Sequence, residues 1–191
     1  MEKIPTLFIR DLTARPAHVT PTVHPDCTWV LAGEGTPTRK WDGTCTMLDT
    51  GGAWWARREV KPGKTPPPGF RALATDPATG KTVGWEPIGQ SAFAKLHTEA
   101  LVNCGGVEGP GTYELLGPKI NGNPDRFDAH LLIPHGWAPL SERQDLATAP
   151  RDFDGLHTWL HARPYEGIVW HHDDGRRAKL KATDFPRQDR S

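Results

Sequence analysis

Nineteen prolines and twenty glycines in 191 residues interrupt this chain so often that long helices are excluded, because proline removes a backbone donor and glycine weakens a helix interior. The apolar segments between the breaks are short, which predicts strands and turns with a few short helices. The length suits one ordinary domain with a real core, expected over residues 1–185 and followed by a polar tail over 186–191.

The 23 basic and 23 acidic residues cancel, so net charge announces neither nucleic acid nor membrane, and any basic surface must be local. Cys27, Cys45 and Cys104 show neither CxxC spacing nor an even count, which argues against a disulfide framework and a zinc cluster and for a reducing setting. No apolar run approaches the ~18 residues of a membrane span, and the first ten residues carry no cleavage pattern. A soluble, cytoplasmic protein is expected.

Residues 44–49 and 53–60, joined by Thr50-Gly51-Gly52, read as a β-hairpin. A compact apolar run over 27–32 precedes them, closed by Gly33-Glu34-Gly35. The stretch 61–90, with Pro66-Pro67-Pro68, reads as a long loop. Helical spacing recurs over 91–102, with Ser91 as cap, and over 153–162, burying Phe153, Leu156 and Leu160. Strands are expected over 111–116, 129–134, 167–171 and 177–182, the last two flanking a turn at Asp173-Asp174-Gly175. Without regular βαβ alternation the fold class is α+β with mainly antiparallel sheets.

Lys40-Trp41-Asp42-Gly43 offers a lysine at a strand edge, a carboxylate two residues on, and a glycine that lets backbone approach a ligand. Alone it is a weak signal, read first as an exposed turn with an ordinary lysine. Near the C-terminus Glu166-Gly167-Ile168-Val169 is followed by Lys179-Leu180-Lys181. Alternate strand residues share a face, so Lys179 and Lys181 project together while Leu180 points to the core. Two converging ammonium groups repel unless an anion lies between them, and a polyphosphate suits that place. Glu114 sits in the strand Gly111-Thr112-Tyr113-Glu114-Leu115, where an edge-strand residue facing water is the plain alternative. Arg57 and Arg58 lie on opposite faces of their strand, so only one can face a cleft.

In this order, Lys-x-Asp-Gly, the arginine, the Glu114 strand, Glu-Gly-Ile-Val and Lys-x-Lys resemble the covalent nucleotidyltransferase superfamily of ligases and mRNA-capping enzymes. Tyr113-Glu114-Leu115, the Gly122-Asn123-Pro124 turn, the run His130 to Gly136 and the run Glu166 to His171 resemble, more narrowly, the small ATP-dependent RNA 5′-to-3′ ligase family with vertebrate members. The resemblance implies a nucleotidyltransferase (ATP-grasp-like ligase) core. It also implies an RNA-repair activity in which Lys40 takes AMP from ATP, passes it to an RNA 5′-phosphate, and a 3′-hydroxyl displaces it.

By position, Lys40 resembles the nucleophile, Arg58 or Arg57 the ribose and phosphate contact, and Glu114 the ribose-hydroxyl acceptor. Glu166 resembles the metal-associated carboxylate, and Lys179 and Lys181 the phosphate ligands. Asp42 would position Mg²⁺ or Mn²⁺ through water, Gly43 would lie against the nucleotide, and the adenine-stacking position falls at Phe127, His130 or Leu132. Thr38-Arg39 stands where many relatives carry a glutamate before the nucleophile, which leaves ATP against GTP open. Because the sequence ends soon after Lys181, no OB-fold domain is expected. Two other functions fit the residues: guanylyl- or adenylyltransfer to another acceptor, and non-catalytic RNA-end binding. Nothing in the sequence sets an oligomeric state.

Several signals carry less. Gly63-Lys64-Thr65 and Gly80-Lys81-Thr82 mimic the end of a P-loop, but Arg58 and Thr75 stand where its first glycine belongs, so both read as loop tips. His157 and His161 lack the intervening glutamate of zinc hydrolases, and His171-His172 reads as a polar hairpin tip. Trp41 could wall a nucleotide pocket. Arg176, Arg177, Lys179, Lys181, Arg187 and Arg190 form a basic concentration that suits an RNA backbone or simply a charged terminus.

Overall fold

A computed structural model describes residues 4–77 and 79–186; the tail from Arg187 onward, with Arg190, lies outside them. In chain order the elements are β1 (Phe8–Asp11), β2 (His18–Val23), α1 (Thr28–Leu31), β3 (Thr36–Lys40), β4 (Thr44–Leu48) and β5 (Trp54–Val60). There follow β6 (Arg71–Thr75), β7 (Thr82–Pro87), α2 (Ala94–Asn103), β8 (Gly111–Leu116) and β9 (Leu131–Pro134). The chain closes with α3 (Leu140–Leu146), α4 (Phe153–His161), β10 (Gly167–His171) and β11 (Arg177–Lys181). The strand pairs are antiparallel, so the α+β class with mainly antiparallel sheets stands, with four α-helices among the described residues. Contacts cluster into two compact units, a middle one over 42–135 and a flanking one built from 4–41 and 136–186.

The middle unit is a six-stranded sheet in the order β6-β7-β5-β4-β8-β9. Its core joins Ala100, Leu96 and Leu101 of α2 to Tyr113, Leu115 and Leu132 of the sheet. The expected loop over 61–90 is corrected here, since it contains β6 and β7. Edge strand β6 is exposed along its whole length, so no alternation betrays it, and β7 breaks its apolar pattern with Gly84 and a buried Glu86. Ser91 is not the cap of α2: the cap position is Phe93, without a side-chain bond, and Ser91 Oγ instead accepts from the Phe93 N–H at 3.3 Å.

The flanking unit carries the β1–β2 hairpin and a three-stranded sheet in the order β11-β10-β3. Strand β3 is an edge, which is why it tolerates Pro37, a residue that cannot donate to a ladder. Ile168, Trp170, Ala178 and Leu180 form one core with Leu156 and Leu160 of α4 and with Leu7 and Phe8. Asp152 caps α4 by accepting from the Gly155 N–H at 2.8 Å. The apolar run over 27–32 contains the short helix α1.

Candidate functional site

In the flanking unit, strand register decides which side chains share a face. Gly167 lies opposite Lys40 on one side and Lys181 on the other, and Val169 lies between Thr38 and Lys179 in the same way. Directly paired residues point the same way, so Lys40, Lys179 and Lys181 occupy one face. The opposite face sends Ile168 and Leu180, both fully buried, into the core. Lys40 is thus the last residue of β3, and the tetrapeptide it opens leads directly into β4 at Thr44. Gly167 is required at the middle of this row, because a Cβ there would meet the Leu180 carbonyl oxygen at 2.1 Å.

Glu166, just before β10, supplies the anion. Lys40 Nζ donates to its Oε2 at 2.6 Å, and Lys181 Nζ pairs with its Oε1. The carboxylate is only 12% exposed, so both pairs are partly shielded from water. Lys179 has no ion pair of its own among the described residues. Burial, and then the charges of Lys40 and Lys181, push its ammonium below the usual lysine range. Three lysines against one glutamate leave this face with a surplus of two positive charges, a setting that favours a multiply charged anion.

The middle unit holds a second cluster around Glu114, which is 12% exposed. Strand β8 lies between β4 and β9, so Glu114 is on no edge. Its Oε1 accepts from the Gly43 N–H at 3.1 Å, and its Oε2 lies 2.8 Å from His135 Nε2. A carboxylate partner makes Nε2 the protonated nitrogen of that ring. A Cβ on Gly43 would meet the Leu115 carbonyl oxygen at 2.4 Å and Glu114 Cγ at 2.8 Å, which is why glycine follows Asp42. Asn121 Nδ2 donates to Asp42 Oδ1 at 3.0 Å and to the Gly43 carbonyl at 2.8 Å. Asn121 has positive φ, a conformation asparagine tolerates. Sequence reasoning gave no role to Asn121 or His135, although Asn121 adjoins the Gly122-Asn123-Pro124 turn and His135 lies in the run His130 to Gly136.

Arg57 pairs across the ladder with Trp85 and Arg58 with Gly84. Extending the β4–β5 register by one residue sets Arg57 opposite Cys45, and Cys45 lies opposite Glu114. Arg57 therefore shares the Glu114 face. Arg58 shares the other face with Glu86, 4.0 Å away, the face on which Tyr113, Leu115 and Leu132 meet α2.

Of the adenine candidates, Leu132 lies in that core. His130 is buried, with Nδ1 2.8 Å from Glu99 of α2 and Nε2 against the Pro118 carbonyl. Phe127 is half-buried and bracketed by Asn123, whose side chain bonds both its N–H and its carbonyl at 3.0 and 2.9 Å.

Gly80-Lys81 turns the chain between β6 and β7, where Asp76 N–H donates to the Lys81 carbonyl at 2.9 Å. His157 and His161 meet edge to face on α4, with ring centroids 4.5 Å apart. His171 lies 3.0 Å from Thr38 Oγ1, and His172 pairs with Glu34. Trp41 stacks under the Arg39 guanidinium at 3.9 Å. Among the described residues no three metal-type side chains gather, so a metal here would take one or two carboxylates and complete its shell with phosphate and water. Mg²⁺ binds in that manner.

Comparison with known proteins locates the family signal in the second half of the chain. Residues 100–186 match the RNA ligase 1 family. This agrees with the resemblance to small RNA ligases read from the motifs. RNA ligase 1 of Danio rerio is 36% identical over 77 residues, which cover 36% of this chain and 22% of that protein. The matched segment contains Glu114, Glu166, Lys179 and Lys181, whereas Lys40, Asp42, Gly43, Arg57 and Arg58 precede it. No helix among the described residues is long and apolar enough to cross a membrane.

Proposed function

We propose that this chain is an ATP-dependent RNA ligase that works through a covalent adenylate on Lys40. One observation carries the reading: Lys40, from a segment outside the family match, shares a strand face with Lys179 and Lys181 of the matched segment and donates to Glu166 at 2.6 Å.

Lys40 must lose a proton before Nζ can attack phosphorus. Glu166 Oε2 is its hydrogen-bond acceptor in the flanking unit and is positioned to take that proton. The new bond joins Nζ to the α-phosphorus of ATP, the bond from that phosphorus to the bridging oxygen breaks, and pyrophosphate leaves. Lys179 and Lys181 stabilise the charge on the phosphoryl oxygens. The adenylate passes to an RNA 5′-phosphate, and a 3′-hydroxyl then displaces AMP to form the phosphodiester. Glu166 is the carboxylate proposed to hold Mg²⁺ or Mn²⁺, with Asp42 as a second candidate, and the ion would supply further neutralisation of phosphate charge.

Glu114 is assigned the ribose hydroxyl, with Gly43 leaving the backbone close to it, and Arg57 rather than Arg58 the phosphate or ribose contact, because Arg57 shares the Glu114 face. Phe127 is the assigned adenine neighbour, since His130 has both nitrogens engaged. The proposed catalytic unit spans residues 1–185, in a nucleotidyltransferase core. Label from α-phosphate-labelled ATP that survives denaturation and is removed by pyrophosphate tests the reading; label from GTP alone would indicate a capping-like transfer instead.

A further inference from the structure

Within the middle unit, a cavity of about 540 Å³ lies between the segment after β5 and the β6–β7 hairpin. Its walls include Lys61, Lys64, Pro62, Pro66, Pro67 and Phe70, and no described lining residue is acidic. Neither Lys61 nor Lys64 has an ion pair among the described residues, whereas Lys81 of the adjoining hairpin pairs with Glu59 at 2.9 Å.

The walls are set by local structure. Lys64 N–H donates to the Lys61 carbonyl at 3.1 Å, and Phe70 N–H donates to the Pro67 carbonyl at 3.1 Å, with Gly63 and Gly69 at positive φ in the two turns. Gln90 Nε2 donates to the Pro68 carbonyl at 2.5 Å and pins the segment. Phe70 lies over Gly84, where a Cβ would meet its ring at 2.5 Å. Two unpaired cations, an aromatic ring and rigid prolines, without a carboxylate, suit a ligand with a phosphate and a flat base.

We propose that this cavity binds a nucleotide unit of the RNA strand, with its phosphate at Lys61 and Lys64 and its base against Phe70 and the prolines. The identity of the strand rests on the ligase reading; the site does not. It lies outside the residues assigned to adenylate formation, so the two functions separate by mutation.

The test measures binding of a 5′-phosphorylated single-stranded RNA by fluorescence anisotropy at several salt concentrations, for the full chain and for K61A/K64A, with ATP labelling of each in parallel. Each phosphate contact contributes a salt slope of about 0.7 on single strands. The double variant should therefore bind roughly tenfold more weakly with a slope smaller by about 1.4, while labelling from ATP is unchanged. Equal affinity and slope in the two proteins, or no RNA binding by the parent chain, overturns the site. Loss of ATP labelling with RNA binding intact also overturns it, since the cavity would then serve free nucleotide. Weakened RNA binding in the variant, with no label on either protein, sustains the site and removes the ligase reading.

Discussion

Lys40 and Glu166 are 126 residues apart in sequence and meet at 2.6 Å, Nζ to Oε2. The contact exists because β10 pairs with β3 on one edge and with β11 on the other, so one carboxylate at the start of β10 reaches a lysine on each neighbour.

Glu166→Gln keeps the shape of that side chain and removes its charge. Labelling from ATP should fall by about 10²–10³, the usual scale for losing one preorganised electrostatic contact at a reacting centre. Stability should fall by only about 1–3 kcal/mol, because a neutral acceptor remains. Labelling kinetics and urea unfolding check the two parts, and equal labelling would remove Glu166 from the chemistry.

Arg57→Ala and Arg58→Ala should differ. Arg57 shares the Glu114 face and Arg58 does not, so the first change should lower labelling about tenfold or more, the scale of one charge-assisted contact, and the second should leave it within about twofold. The reverse order would place Arg58 at the nucleotide.

Gly43→Ala brings a Cβ to 2.4 Å from the Leu115 carbonyl oxygen and against Glu114. It should destabilise the middle unit by about 1–3 kcal/mol, as overpacking does, and weaken ATP binding. Thermal unfolding with and without ATP reads both effects; a stable variant with parental ATP affinity would contradict them.

Lys179 contributes a pH dependence of known sign. Its folded value lies below the ordinary 10.5, so between the two the unfolded chain binds more protons and stability rises with pH. Lys179→Met should lose that rise and gain stability below the window, while losing labelling. Urea midpoints across that window check it, and an unchanged slope would show that Lys179 is not the source.

Much of this was legible before the structure. The period-2 logic of Lys179-Leu180-Lys181 needs only local geometry, and Leu180 is indeed fully buried. The third strand of that sheet was not legible, because β3 pairs with β10 across more than a hundred residues and Pro37 interrupts its strand-like sequence pattern. Glu114 looked like an edge residue because β9, the strand that shields it, is a separate segment downstream. The choice between Arg57 and Arg58 needed the ladder register of β4, β5 and β8, which no single strand contains. Strand β6 escaped notice for another reason: none of its residues is buried, so its sequence carries no core signal.

The central claim is tested most directly by incubating the full chain with α-phosphate-labelled ATP and Mg²⁺, denaturing it, and mapping the label by peptide mass. The account predicts one AMP on Lys40, removable by pyrophosphate and absent from Lys40→Ala. Label on another residue, or no label on folded protein first stripped of bound AMP, would contradict it.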